Sequence, residues 1–523
     1  MPKLIEIKQQ TKDDTVNIIL DTLERNKQAL VFVNSKRSAE KVAEEIARKI
    51  TIKNKKWNEL AEEALNALSK PTKQCERLGS ILHKGIAFHH SGLVAQQREL
   101  VEENFKSGII KVICCTPTLA WGVDTPAFRC IIRDLKRYGK RGMEYIPTLD
   151  YHQIAGRAGR PGKEEYGEAI CIVKDDLEKE KVLEKYIYGE PEDIYSKLAV
   201  EPVLRTYLLS LIASEFVKTK KQLMDFFLKT FWAHQFEDHF RLEQIIDKVL
   251  KLLVEYTFIT YHEEGMGEFK SADSYEEKYS ATSLGKRVAE LYIDPLTAYG
   301  IICSLKQAPQ KNIKPISFLH VVANTLEMRP LLRVKSKEYE DIQLKIGEYE
   351  DSLLVVEPNI YDYEYDDYLN GFKTALFFHD WIEEKNEEEI LANWDVRPGE
   401  LRVKIELADW LLYGTEEICK LLQLRETLKE VSKTRFRLKY GVKEELLRLL
   451  KLKGIGRIRA RKLFNNGIKD LGDIKKTDIV SLTQLIGKKT TIEIKEQVGE
   501  KVSPDDIKIK ENKRKGQISL MDY

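Results

Sequence analysis

Gln28-Ala29-Leu30-Val31-Phe32-Val33-Asn34-Ser35 is an apolar run that ends in two polar residues. A strand buried on both faces reads this way, and it delivers its polar end to a loop. Ser35 is placed to cap the helix that follows, Lys36 to Lys49. Upstream, Val16, Ile19, Leu20 and Leu23 mark one face of a helix. Downstream the pattern recurs. Residues 53–83 read as helical with a break at Pro71. Ile86-Ala87-Phe88-His89-His90-Ser91-Gly92-Leu93 is a second strand with its loop, and Gly108 stops the helix that runs from about Ala95 to Lys106. Lys111-Val112-Ile113-Cys114-Cys115-Thr116-Pro117-Thr118 is a third strand, ending in hydroxyls. Strands alternating with helices predict an α/β lobe with a parallel sheet, whose ligands belong at the carboxyl ends of its strands.

Further on comes Tyr151-His152-Gln153-Ile154-Ala155-Gly156-Arg157-Ala158-Gly159-Arg160-Pro161-Gly162, followed by the strand-like Gly167-Glu168-Ala169-Ile170-Cys171-Ile172-Val173. On one helix, this spacing puts Gln153, Arg157 and Arg160 on neighbouring faces. The small residues between them let another surface approach closely. Two guanidinium groups so presented suit the spread charge of a phosphoryl group in transfer. The competing structural reading is a basic helix end paired with carboxylates. The full Gln-x-x-Gly-Arg-x-Gly-Arg pattern favours phosphoryl chemistry.

At 523 residues the chain is long enough for several domains. A net charge of +2 with 33% charged residues announces no polyanion partner overall, so only local patches can. Seven cysteines without a Cys-x-x-Cys pair argue against a zinc or iron–sulfur site and fit a reducing cytosol. No apolar run of about 18 residues occurs, so a soluble intracellular protein without a membrane partner is expected.

Leu30 to Ser35, His89-His90-Ser91-Gly92-Leu93, Thr116-Pro117-Thr118-Leu119-Ala120-Trp121-Gly122-Val123-Asp124-Thr125-Pro126-Ala127 and Gln153 to Arg160 resemble motifs IV, IVa, V and VI of superfamily 2 helicases, in order. The wording Thr-Leu-Ala-Trp-Gly-Val resembles the Ski-type group. The resemblance implies a second RecA-like lobe over 1–197. Arg157 and Arg160 would then reach the γ-phosphate of ATP, held with Mg²⁺ on another lobe, and Gln153 would help to orient it. Gly122 and Asp124 would lie near the nucleotide, although family members usually carry Asn at the position of Asp124. Asn34, Ser35, His90, Thr116 and Thr118 would face a strand of nucleic acid, since hydroxyls and loop N–H groups bind phosphates without reading bases. For the two histidines, capping of their own loop is the alternative.

Residues 131–147 read as a hairpin with a basic tip. In the family a hairpin here parts the duplex, a role that suits Arg137, Tyr138, Lys140 and Arg141; the bland reading is a solvated surface hairpin. Residues 198–292 look like a winged helix, with strands at Phe258–Tyr261 and Tyr279–Thr282. A helical block over 293–430 holds an acidic, tyrosine-rich region from Glu338 to Tyr368, which repels phosphates. Its Asn393 to Leu401 segment leads into a helix through Trp410, with Pro398 and Gly399-Glu400 as start signals. This resembles the ratchet domain of archaeal HelQ-type repair helicases, in which a tryptophan matching Trp410 stacks on bases. The family's arginine falls at Val403 here, beside Arg402 and Lys404. Core packing beside Leu407 and Leu411 is the alternative for Trp410.

Residues 431–502 contain Gly454-Ile455-Gly456 before Arg457, Arg459 and Arg461, which matches a helix-hairpin-helix motif. Such a turn offers backbone N–H groups at a helix N-terminus to phosphates; an ordinary helical turn is the alternative. From Lys451 to Lys515 there are 18 Lys or Arg against 9 Asp or Glu, so this end of the chain is basic where the middle is acidic. In the tail, 503–523, Gln517, Leu520 and Tyr523 resemble a motif that docks on the sliding clamp PCNA.

No Gly-x-x-x-x-Gly-Lys and no Asp-Glu dipeptide occurs in the 523 residues. The resemblance, which alone supplies polarity and pathway, implies the carboxyl-terminal half of a 3′→5′ DNA helicase. It would act on single-stranded and forked DNA in repair, and stay inactive until a first RecA-like lobe is supplied. The alternatives are an RNA helicase of the same group and a non-catalytic DNA- and clamp-binding adaptor.

Overall fold

The apolar runs form strands because no position along them faces water. Every residue of β1 (Ala29–Phe32), β2 (Ile86–His89), β3 (Val112–Cys115) and β4 (Arg129–Ile132) is buried. In the computed structural model a hairpin of β5 (Lys136–Gly139) and β6 (Gly142–Tyr145) follows, and β7 (Glu168–Cys171) completes a sheet of order β2-β3-β1-β4-β7. All of its pairings are parallel, with Phe32 level with Cys115 and Ile132. The described residues are 5–50, 54–68, 70–121, 123, 125–139, 142–160, 162, 164–198, 200–236, 239–263 and 277–500. The hairpin is narrower than the sequence predicts. Ile131 and Ile132 pair within the parallel sheet because their apolar side chains are buried there.

Helices α1 (Asp14–Glu24), α2 (Lys36–Ala47), α3 (Lys55–Asn66), α4 (Lys73–Leu82), α5 (Ala95–Lys106), α6 (Thr148–Ala155) and α7 (Asp176–Val182) belong to the same unit. Ser35 caps α2 by accepting from the Ser38 N–H at 3.2 Å, as its position predicts. Gly108, at φ +82°, ends α5. Arg129 is fully buried at the start of β4, yet its charge is matched. It bonds Asp21, Glu168, the Thr22 hydroxyl and the Ile18 carbonyl. Burial raises the Asp21 carboxyl pKa, but Arg129 and Arg25 outweigh it and hold the carboxyl below its ordinary value.

The chain forms two units, Met1–Tyr195 with Glu387–Val403, and Ser196–Asn386 with Lys404–Tyr523. The second starts with α8 (Glu201–Ala213), α9 (Lys220–Phe227), α10 (Phe231–Phe236) and α11 (His239–Glu255). The antiparallel pair β8 (Ile259–Glu263) and β9 (Glu277–Ala281) and then α12 (Ser283–Leu291) follow. Next come α13 (Pro295–Gln307), α14 (Pro315–Ala323), α15 (Tyr339–Tyr349) and α16 (Glu364–Ile382). The chain continues through α17 (Glu387–Trp394), α18 (Pro398–Leu421) and α19 (Arg425–Tyr440). It closes with α20 (Arg457–Asn465), α21 (Leu471–Lys476), α22 (Ile479–Ile486) and α23 (Lys488–Gln497) around a core that runs from Val442 to Ile494. The last domain therefore begins near residue 441 and not 431, because α19 continues unbroken to Tyr440. No single helix among the described residues is long and apolar enough to cross a membrane.

A second correction concerns Glu387–Val403, which the sequence places in the helical block but which packs with the first unit. The Gly399 N–H donates to the Gly92 carbonyl at 3.0 Å, and a Cβ at Gly399 would lie 2.3 Å from the Leu93 carbonyl oxygen. Arg37 pairs with Asp395 at 2.7 Å, Lys36 with Glu400, and the Lys73 N–H donates to Glu388 at 2.9 Å. Only a residue without a side chain allows this approach.

Candidate functional site

The stretch from Gln153 to Arg160 is not one helix. α6 stops at Ala155, with Gly156 as its cap, and Gly159 takes φ +91°. Beyond the helix the backbone pairs with residue 127: the Ala127 N–H donates to the Arg157 carbonyl at 2.9 Å and the Gly159 N–H to the Ala127 carbonyl at 2.7 Å. A Cβ on Gly167 would lie 2.1 Å from the Gly159 nitrogen, so two glycines are needed where these backbones cross. Gln153 thus sits exposed on α6, while Arg157 and Arg160 sit on a loop fixed from both sides.

The start of α6 is held just as firmly. Pro147 offers no side-chain cap, and the Glu192 carboxylate takes its place by accepting from the Thr148 and Leu149 N–H groups at 2.7 and 3.1 Å. Burial opposes the charged form, but these donors hold the Glu192 carboxyl down at about 2. Tyr151 stacks on Tyr186, with ring centroids 4.8 Å apart, and the Tyr186 hydroxyl donates to the Ile146 carbonyl.

Arg157 donates through Nη2 to the Ala120 carbonyl at 2.6 Å, which ties this loop to the Thr116–Ala127 segment. Arg160 donates through Nη1 to Gln28 Oε1 and through Nη2 to Glu164 Oε1, the latter at 2.9 Å. Gln28 precedes β1 and residue 127 precedes β4, so both arginines lie at the amino-terminal edge of the sheet. The expectation that ligand residues gather at the carboxyl edge fails for them, because α6 carries the chain back across the sheet after the hairpin.

The carboxyl edge holds the other group. Phe32, His89 and Cys115 are level in the sheet, which brings Asn34, Ser35, His90 and Thr116 to one rim. Asn34 and Ser35 are exposed; the Asn34 N–H donates to Asp134 at 3.0 Å. The Thr116 and Thr118 hydroxyls lie 2.9 Å apart, with Thr118 exposed and Thr116 buried. His90 departs from its expected contact with nucleic acid, since it is 0% exposed. Its Nδ1 accepts from the Gly92 N–H and its Nε2 faces Glu40 at 3.2 Å, so it braces its own loop. Burial pushes the His90 pKa down, against the pull of Glu40. Glu40 is itself buried, a cost that Arg397, Arg77 and His90 more than offset, and its carboxyl is held at about 2.

On the hairpin, Tyr138 is 85% exposed and Arg137 pairs with Asp150 at 2.9 Å. Gly122, Asp124, Lys140, Arg141, Gln517, Leu520 and Tyr523 lie outside the described residues.

In α18, Arg402 is exposed and 3.5 Å from Glu387, and Val403 is exposed. Trp410 is half-buried, and its indole N–H donates to the Leu291 carbonyl at 3.1 Å. In the second unit, Gly456 is the N-cap of α20 and Gly454 takes φ +87°. The three arginines then part company. Arg459 is exposed and donates to the Gly454 carbonyl at 2.8 Å. Arg461 grips Glu384 with two bonds, at 2.7 and 2.8 Å, and Glu445 with a third. Arg457 donates to the Lys385 carbonyl and stacks on Trp381, 4.6 Å from the ring centre. For Arg457 and Arg461 the expectation of phosphate contact gives way to pinning of the last domain onto α16 and the residues just after it.

Sequence reading missed Gln28, Glu40 and Arg397, whose partners are remote in the chain, and Glu164, four residues after Arg160. It also missed a second hairpin, in which Gly487 at φ +86° joins α22 to α23 ahead of exposed Lys488 and Lys489; the run Ile486-Gly487-Lys488-Lys489 was its signal. Among the described residues no three of His, Cys, Asp or Glu converge as metal ligands. The arginine pair suits the anionic end of a nucleotide.

Three family models match parts of the chain. Residues 62–162 match the family model of the helicase conserved C-terminal domain, 167–260 a helix-turn-helix domain, and 316–441 domain 4 of archaeal helicases. The chain is 38% identical to the ATP-dependent DNA helicase Hel308 of Methanococcus vannielii, over 92% of this chain and 68% of that one. It is also 38% identical to Hel308 of Pyrococcus horikoshii, over 96% of this chain and 67% of the relative. With Hel308 of Methanocella arvoryzae the identity is 37%, over 94% and 65%.

Proposed function

This chain belongs to the Hel308 family of ATP-dependent DNA helicases, and we propose that it supplies the second RecA-like lobe and the DNA-handling domains of a 3′→5′ motor acting on single-stranded and forked DNA. Arg157 and Arg160 neutralise charge on the γ-phosphate, and Gln153 orients it. ATP and Mg²⁺, when bound, supply the phosphoryl group and its counter-charge, held mainly by a first lobe whose phosphate-cradling loop is not in this sequence. Asn34, Ser35, Thr116 and Thr118 take the DNA backbone at the carboxyl edge, and the β5–β6 hairpin presents Tyr138 to the duplex junction. Trp410 in α18 and Arg459 at the helix-hairpin-helix guide the strand.

The observation that carries this reading is the fixing of the Arg157–Arg160 loop. It is bound to Ala127 by two backbone bonds and to Ala120 by Arg157 itself. The Thr116–Ala127 segment starts at the carboxyl end of β3 and ends just before β4, at the edge that holds the arginines, which supports a link between the two proposed tasks. Rigid placement of a cation before reaction avoids reorganisation when charge develops.

Supplied with a lobe that carries the phosphate-cradling loop, the chain should show DNA-stimulated ATPase activity. Arg157→Ala and Arg160→Ala should each lower kcat by about 10³-fold or more, the range seen for arginines that stabilise phosphoryl transfer, with DNA binding retained. The pure chain alone should not turn over ATP. Wild-type turnover by both variants would overturn the assignment.

A further inference from the structure

We infer that Glu164 is a latch on Arg160, an internal carboxylate occupying the guanidinium until a phosphate displaces it. The inference rests on the proposed role of Arg160 and concerns how that residue is held before reaction. A guanidinium grips a phosphate through pairs of its N–H groups. In Arg160 both outer nitrogens are already engaged, Nη1 by Gln28 Oε1 and Nη2 by Glu164 Oε1. The Gln28 carboxamide is buried and anchored, since its Nε2 donates to the Phe105 and Ile110 carbonyls at 2.7 and 2.6 Å. It therefore fixes one end of the guanidinium.

Glu164 is the exchangeable partner. Its side chain is only 2% exposed, its Oε1 also lies 3.5 Å from Lys27 Nζ, and its Oε2 is buried without a hydrogen bond. Arg160 Nε is likewise buried and unmatched. A carboxylate and a cation left half-satisfied form a network that a better anion can reorganise, because each orphaned atom carries a desolvation cost. For Arg160 to turn both N–H groups of Nη2 to a γ-phosphate, the bond to Glu164 is given up, with Lys27 remaining as the counter-charge of the released carboxylate. The latch lowers the fraction of Arg160 ready for nucleotide, which raises the apparent KM.

The test uses the complete helicase, with its phosphate-cradling lobe, and steady-state ATPase on single-stranded DNA. Glu164→Gln should lower the KM for ATP by about threefold or more with kcat within about twofold, the signature of a relieved ground-state competitor. The same substitution in an Arg160→Ala background should leave KM where Arg160→Ala alone puts it. Where Glu164→Gln lowers the yield of folded protein, Glu164→Asp, with its carboxylate one methylene short of Nη2, serves in its place and should shift KM in the same direction. An unchanged or raised KM, or an equal shift in both backgrounds, overturns the latch. Arg160→Ala with wild-type turnover instead overturns the proposed role of the arginine.

Discussion

A carboxylate buried as deeply as that of Glu40 keeps its charge only while cations surround it. Arg77, Arg397 and the His90 ring do so here, with Lys36 close enough to be felt at the histidine. The Glu40 carboxyl is held at about 2, below its ordinary 4.5, so its stabilisation is full above pH 4.5 and is lost as pH falls toward 2. His90 adds to the same trend. Its pKa is lowered in the fold, whereas the unfolded chain takes up a proton below about 6.5, so acid favours unfolding from that point down. Thermal unfolding between pH 7.5 and 3 should therefore show a falling midpoint in two windows. Glu40→Gln should shallow the lower window, to which Glu192, Asp21 and Glu384 also contribute, and unfold several degrees earlier at neutral pH, because the arginines lose their counter-charge. An unaltered pH profile would show that Glu40 carries no such load. His89-His90 was recognisable in the sequence as a loop signal, but its direction was not, since Glu40 lies 50 residues away.

At the level of elements, sequence periodicity performed well wherever a helix or strand is stabilised by its own pattern. Capping of α2 by Ser35, the end of α5 at Gly108 and the Gly454–Gly456 turn all follow from local chemistry. α6 defied the pattern because its end is set from outside, by residue 127 and by the crossing of Gly159 and Gly167. α20 gives a sharper case. Three arginines at alternate positions look alike in sequence, yet Arg459 is exposed and bonds the carbonyl of its own turn, while Arg461 is gripped by Glu384 and Glu445. Burial opposes the charged Glu384, but Arg461 outweighs it and holds the carboxyl low. Arg459→Gln should weaken DNA binding and reduce the slope of log K against log salt by about 1, the loss of one phosphate contact. Arg461→Gln should leave that slope unchanged and lower the unfolding midpoint instead. DNA titrations at several salt concentrations, paired with melts, separate the two; a slope loss for Arg461→Gln would reverse the assignment.

For the whole molecule, the order of the chain and the order of the units differ. The first unit is interrupted after Tyr195 and regains Glu387–Val403 only after the chain has passed through the second. Motifs recognise local words, so they located the sheet, the arginines and the last hairpin, but they could not show that Arg397 returns to Glu40 across 357 residues. That return has a measurable consequence. A fragment of residues 1–195 keeps the sheet and its core but loses Arg397 from Glu40, Glu400 from Lys36 and the Gly399 bond to Gly92. Glu40 keeps Arg77 and His90, so the lost bonds cost about 1–3 kcal/mol, which for a unit of this size is roughly 2–12 °C in midpoint. The fragment should melt that far below the corresponding transition of the intact chain. A synthetic peptide of residues 387–403, added in excess, should recover part of the loss by binding the folded form. The same peptide with Arg397→Ala and Gly399→Ala should recover none, because a methyl at position 399 collides with the Leu93 carbonyl. If fragment and intact chain melt together, or the altered peptide rescues equally, the returning segment is a passenger and not part of the lobe.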